Sequence, residues 1–194
     1  MESPRPEPEP EVGRKRAHPT YLYARLLAGR WSGLPAAIRR MHALDDRLSA
    51  AGRARVERGT GILAGAIAGI AGFPPAAEDV AVRVDFERRG EVETWRRQFG
   101  DHVFQSTQEI GRNRRLVERF GPAAFAMRLS WDGKRLNLDL RHWRLYGVPM
   151  PGWLSPSSVA YEHVVDGRFA FFVEISHPMT GLIVRYQGWL EPVV

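Results

Sequence analysis

The sequence predicts an α+β fold: a strongly curved antiparallel β-sheet of about nine strands, able to close as a barrel, with N-terminal helices packed on it. Three observations carry this expectation. Apolar residues recur at helical spacing as far as residue 72, then at a period of two from Val80 onward. The links Arg89-Gly90, Gly100-Asp101, Asp132-Gly133 and Asp166-Gly167 are two-residue turn signals of the kind that join hairpin strands. No β-α-β succession follows that would ask for a parallel sheet.

Residues 1–19 are rich in proline and glutamate and carry the basic cluster Arg14, Lys15, Arg16. Such a composition buries too little apolar surface to order itself, so the segment is read as a disordered arm ahead of a single domain over residues 20–194. Between Tyr21 and Leu48, Leu22 and Leu26, then Leu34, Ile38, Met41, Leu44 and Leu48, repeat at helical spacing. Gly29 and Gly33 break the pattern and Pro35 opens a new start, which predicts two helices. Residues 52–59 alternate weakly between two glycines and predict a short edge strand. A helix over Thr60–Gly72 follows, ended by Pro74-Pro75. It places Ile62, Leu63, Ile67, Ile70 and Phe73 on one face and glycines and alanines on the other. Each interior glycine costs about 0.5–1 kcal/mol relative to alanine, which implies close approach of another backbone.

The strands are expected over 80–87, 91–99, 102–108, 114–120, 124–131, 135–146, 159–165, 168–176 and 182–190. The excursion 147–158, with three prolines and Trp153, reads as a loop laid over an open end of the sheet.

Composition narrows the function classes. At 194 residues and 44% hydrophobic content the chain can build a sizeable core. Zero cysteines exclude disulfides and thiolate chemistry. A net charge of +6 is too modest to mark a nucleic-acid binder. The arginines at 39, 40, 47, 53, 55 and 58 lack the interleaved aromatics of a nucleic-acid groove and read as a solvated face. No apolar run reaches a membrane span and the start is unlike a signal peptide, so a cytoplasmic location is expected. The six histidines are scattered without ligand spacing, and neither a metal nor a cofactor is expected. No G-x-S-x-G elbow is present. Gly59-Thr60-Gly61-Ile62-Leu63-Ala64 matches a dinucleotide string, but the charged segment before it cannot be a buried parallel strand, and the match is set aside.

The site candidates come from strand faces. Because residues i and i+2 point the same way, Trp95-x-Arg97-x-Phe99 sets an arginine between aromatics, and Leu116-x-Glu118-x-Phe120 sets a glutamate between apolar residues. An unpaired buried charge costs several kcal/mol, so Arg97 and Glu118 are expected to meet across the interior. Read blandly, they are a structural ion pair; read functionally, they sit in a ligand pocket. In the second reading Trp95, Phe99, Phe171 and Tyr186 line an apolar cavity, Arg97 meets an anion, Glu118 orients Arg97, and Trp153 lies on the covering loop. Glu162, and His142 with Arg144 on the face of Leu138, Leu140 and Tyr146, are weaker candidates.

Several spaced features together resemble the bacterial family known as domain of unknown function 4166. They are Met41-His42, Gly52-x-x-x-Val56-x-Arg58-Gly59-x-Gly61, Phe73-Pro74-Pro75, Glu93-x-Trp95-x-Arg97-x-Phe99-Gly100, Glu118-Arg119-x-Gly121-Pro122, and Gly147-Val148-Pro149-Met150-Pro151-x-Trp153-Leu154-x-Pro156. Glu162-x-x-x-Asp166-Gly167-Arg168-Phe169 and Pro178-x-x-Gly181-Leu182-Ile183-Val184-x-Tyr186-x-Gly188 complete the pattern, which runs from about Leu34 to the end. Members of that family have no assigned activity and occur alone or behind an NAD-binding domain of the saccharopine dehydrogenase or epimerase type. The resemblance therefore implies an oxidoreductase partner and an accessory or substrate-holding role.

The leading expectation is a non-catalytic binding module for a hydrophobic or amphipathic small molecule with an anionic group. One alternative is an enzyme in which Glu118 or Glu162, its pKa raised by burial, is the general acid or base. Another is a structural or protein-interaction domain accessory to an NAD-dependent oxidoreductase.

Overall fold

A computed structural model describes residues 21–193; the arm over residues 1–19 lies outside the described residues. Two short helices, α1 (Leu22–Leu27) and α2 (Ala36–His42), precede strand β1 (Arg47–Arg58). Helix α3 (Ile62–Ile70) links β1 to β2 (Ala77–Arg89), and a meander follows through β3 (Val92–Phe99), β4 (His102–Ile110), β5 (Leu116–Phe120), β6 (Ala123–Trp131) and β7 (Leu136–Leu145). The two-residue β8 (Val148–Pro149) leads into β9 (Ser157–Val165), β10 (Arg168–His177) and β11 (Gly181–Pro192).

Every pairing is antiparallel, in the order β6-β5-β4-β3-β2-β1-β11-β10-β9-β7, and β6 pairs with β7 to close a ten-strand barrel. The seam between β7 and β9 is short, with Leu136 opposite Glu162 and Asn137 opposite Tyr161, and the β8 stub pairs farther along β7 with Arg144 and Leu145. Positive φ at Gly90, Gly100, Gly133 and Gly167 is what the predicted hairpin links demand.

The chain direction sorts the connections onto two ends of the barrel. One end carries α1, α2 and the links 90–91, 111–115, 132–135 and 166–167. The other carries α3 with its flanks over 59–76, the links 100–101, 121–122 and 178–180, and the loop 146–156. Helices α1 and α2 plug the first end: Leu22, Tyr23, Leu27, Ile38 and Met41 are buried there and join the residues of the barrel interior in one apolar cluster.

Four expectations need correction. The second helix stops at His42 and Leu48 belongs to β1, where it pairs with Phe86. Nor is β1 a short edge strand: it has 12 residues and lies between β2 and β11. Its charges do not forbid this because they alternate outward and are answered by neighbouring strands, Arg53 by Asp79 and Glu57 by Arg185, while Ala54 and Val56 point inward.

On helix α3 the small-residue face is the buried one, but its interior glycines do not carry the expected backbone contact. Ala64 and Ala68 are its buried residues, whereas Ile62 and Ile70 face solvent. No backbone closes on Gly65 or Gly69, around which nothing lies within 4 Å. The close approach falls instead on Gly59, where a Cβ would stand 1.7 Å from the Leu182 carbonyl oxygen, and on Gly52 and Gly188 of the β1–β11 seam. Steric demand from a neighbouring strand therefore accounts for Gly59 of the dinucleotide-like string. Finally, a bulge opposite Ala126 and Met127 inserts Arg141 into β7. Beyond it the facing flips, so Trp143 and Leu145 turn inward while His142 and Arg144 are exposed.

Candidate functional site

The barrel is hollow. Its inward faces enclose a cavity of about 600 Å³, within the range of small-molecule sites and overwhelmingly apolar in lining. Alternation along each strand delivers the wall: Val82, Val84 and Phe86 from β2; Phe125 and Met127 from β6; Phe171, Val173 and Ile175 from β10. Helix α3 covers the end opposite the plug with Leu63 and Ile67, and Met179 joins it from the β10–β11 link.

Of the residues singled out from sequence, Trp95, Arg97, Phe99, Glu118, Phe171, Tyr186 and Glu162 all stand on this one wall. Trp153 does not: its ring is exposed, and Leu154 and Pro156 supply that loop's part of the lining.

Arg97 and Glu118 meet as their alternation requires. The guanidinium donates from Nη2 to Glu118 Oε1 at 2.9 Å and from Nη1 to Ser106 Oγ at 2.7 Å, and Ser106 donates to the same carboxylate oxygen at 2.6 Å. The two charged side chains are only 12% and 10% exposed. Arg97 also lies over the Trp95 ring, 5.0 Å from its centroid, and near Phe104 and Phe120. Glu118 thus fixes one edge of the guanidinium.

A second polar group occupies the plugged end. His42 Nε2 and Glu162 Oε2 are 2.7 Å apart, and the imidazole stacks on Tyr23 with centroids 3.6 Å apart. Tyr23 donates to Gln108 Oε1 at 3.2 Å. Burial pushes the Tyr23 phenol well above its ordinary range, and the carboxylate of Glu162 adds to the shift. Burial likewise pushes Tyr186 up to about 12, so both phenols stay neutral at neutral pH. Glu93 sits behind Trp95, whose indole N–H donates to Oε2 at 3.2 Å, while Oε1 has no partner among the described residues. Its carboxyl is pushed upward by burial, against the pull of that hydrogen bond.

Sequence reasoning missed Tyr23, Gln108 and Trp143. Gln108 was within reach, since Phe104-x-Ser106-x-Gln108 alternates on the same face as Arg97, one strand away. Trp143 was hidden by the β7 bulge, and nothing local marks Tyr23 as a plug residue. Among the described residues there is no cluster of three metal-ligating side chains.

Fold and interior define a small closed β-barrel that is capped by helices and built around an apolar cavity with the Arg97–Glu118 ion pair on its wall. The chain belongs to the family described as Domain of unknown function (DUF4166), whose model matches residues 34–190. Comparison with curated proteins returns no similar chain.

Proposed function

We propose that the barrel binds one hydrophobic or amphipathic small molecule carrying an anionic group, and holds it without transforming it. The observation that carries this reading is the apolar cavity of about 600 Å³ with Arg97 on its wall. At about 30 Å³ for a water-sized group, the space matches a ligand of about 20 such groups. Among the described residues two hydrogen bonds engage the Arg97 guanidinium, which leaves donors for a carboxylate or phosphate beside Glu118. The aromatic wall around them accepts the apolar body.

Native mass spectrometry of the gently purified protein, followed by titration with alkyl carboxylates of increasing length, tests the reading. Each added methylene is expected to tighten binding about fourfold, from about 0.8 kcal/mol per buried CH₂, until the cavity is full. The double variant Arg97→Met/Glu118→Leu should keep the chain-length dependence and lose the preference for a carboxylate over the matching alcohol. Affinity that ignores chain length overturns the proposal.

A catalytic use of the same cavity draws on the His42–Glu162 pair, a carboxylate and an imidazole 2.7 Å apart beside a buried phenol. Turnover of a bound ligand that disappears in Glu162→Gln, with affinity unchanged, would favour it.

A further inference from the structure

We infer that the end of the barrel covered by α3 docks on a lipid bilayer, so that the cavity exchanges its ligand with the membrane. The inference rests on the ligand-binding reading above and names where the ligand comes from.

The two ends of the barrel differ sharply in chemistry. Across the connections at the α3 end, residues 59–76, 100–101, 121–122, 146–156 and 178–180, Asp101 is the single charged side chain, in a chain that is 26% charged. The opposite end concentrates charge in its links, with Arg112, Arg114 and Arg115 in one and Asp132, Lys134 and Arg135 in another.

Large apolar side chains stand out from the uncharged end. Ile62 is 94% exposed and Ile70 90%, one at each end of α3; Trp153 and Met179, on two other connections, are each 72% exposed. Isolated exposed apolar residues are ordinary, but four on adjoining connections around one opening are a patch. Leu63, Ile70 and Met179 also line the cavity, so patch and interior form one continuous apolar surface.

A bilayer fits this surface better than a protein. Protein interfaces surround an apolar centre with a polar, charged rim, and these connections offer almost none. Tryptophan, with an apolar body and one N–H, suits the lipid headgroup boundary. A short helix with Ile62, Leu63 and Ile70 outward gives the apolar face that lies in such a boundary. The barrel wall cannot be the lipid-facing element, because Arg53, Arg55, Arg83 and Arg96 project from it; a spanning barrel is apolar outside and polar within. Residues 1–20 join at Tyr21 on the far end and hold only Met1, Val12 and Ala17 as non-proline apolar side chains, a poor cover for this patch.

Flotation of the full chain with phosphatidylcholine vesicles, with and without phosphatidylglycerol, tests the inference. Neutral vesicles are decisive because a net charge of +6 draws any face to anionic lipid. The chain is expected to float with neutral vesicles. Ile62→Glu and Trp153→Glu, at exposed positions that leave the core intact, should lower partitioning about tenfold or more, while Val165→Glu at the far end should not. Decanoate, soluble without vesicles, is titrated against the same variants. Decanoate bound equally by all variants, with flotation lost only for the two α3-end variants, supports docking. No flotation on neutral vesicles, or equal losses at both ends, overturns docking and leaves the binding reading standing if decanoate binds. Flotation without decanoate binding overturns the binding reading instead. Self-association by mass that Ile62→Glu abolishes, without flotation, assigns the patch to a second copy of this chain and overturns the lipid inference.

Discussion

Removing Glu118 should cost far more than removing both members of its ion pair. At 2.9 Å, two unit charges at an effective dielectric of about 20 attract by about 6 kcal/mol, and most of that repays the cost of withdrawing them from water. Glu118→Gln leaves the Arg97 charge in an apolar barrel without its counterion, a loss of about 3–5 kcal/mol for a buried pair. The ring faces of Trp95, Phe104 and Phe120 still attract the cation, which places the expected value near the lower figure, about 3 kcal/mol. For a chain of this size that corresponds to a fall of about 6–12 °C in Tm, at about 2–4 °C per kcal/mol. Arg97→Met/Glu118→Leu removes both charges at similar volume and should stay within about 1 kcal/mol of the parent. Urea unfolding of the three proteins, with the slope checked for constancy, measures the differences. A Glu118→Gln loss below about 1 kcal/mol would show that water reaches the pair, and a double variant weaker than the single would sink the desolvation argument altogether.

Two further outcomes follow from named contacts. The Glu93 carboxyl has its pKa raised in the folded protein, so folding binds a proton between the ordinary carboxyl range and the raised value. Stability contributed there falls as pH rises through that window and the penalty is complete above it. Glu93→Gln should therefore match the parent near about pH 4 and exceed it at about pH 8; urea midpoints across that range that favour the parent at the higher pH refute this. Gly188→Ala and Gly65→Ala should have opposite signs. A Cβ on Gly188 would lie 2.2 Å from the Arg53 carbonyl oxygen, an overpacking of backbone that costs about 1–3 kcal/mol or more. Gly65 has nothing within 4 Å, and alanine there should stabilise α3 by about 0.5–1 kcal/mol, read from the same denaturation curves.

Much of this molecule is legible one strand at a time. Alternation is a property of the pleat itself, so Trp95-x-Arg97-x-Phe99 and Leu116-x-Glu118-x-Phe120 announce both which side chains share a face and that the two charges need each other. Glycine in the links 89–90, 100–101, 132–133 and 166–167 specifies turns, since the positive φ it takes there is costly for other residues, and a meander follows from turns that short. The contact between Arg97 and Glu118 then needs only β4 between β3 and β5, which chain order supplies.

What alternation cannot carry is anything that depends on a second strand. Inserting Arg141 opposite Ala126 and Met127 reverses the facing of the rest of β7, and no local signal distinguishes that bulge from continued pleating, so strict alternation turns His142 inward and Trp143 outward, the reverse of what the structure shows. Weak alternation between Gly52 and Gly59 reads as a short edge strand, whereas β1 is internal, its outward charges answered by Asp79 and Arg185 on the flanking strands. Helix α3 shows the same limit in another form: its interior glycines imply a close neighbouring backbone, yet nothing lies within 4 Å of Gly65 or Gly69, and the close approach falls on Gly59 beside the Leu182 carbonyl. Spacing along one chain is enough for most strands, their turns and the residues that share a face within an unbulged strand. Closure of the sheet, a hollow rather than packed interior, and the contrast between a plugged, charged end and an apolar end covered by α3 emerge only in three dimensions, because each depends on distances between segments far apart in sequence.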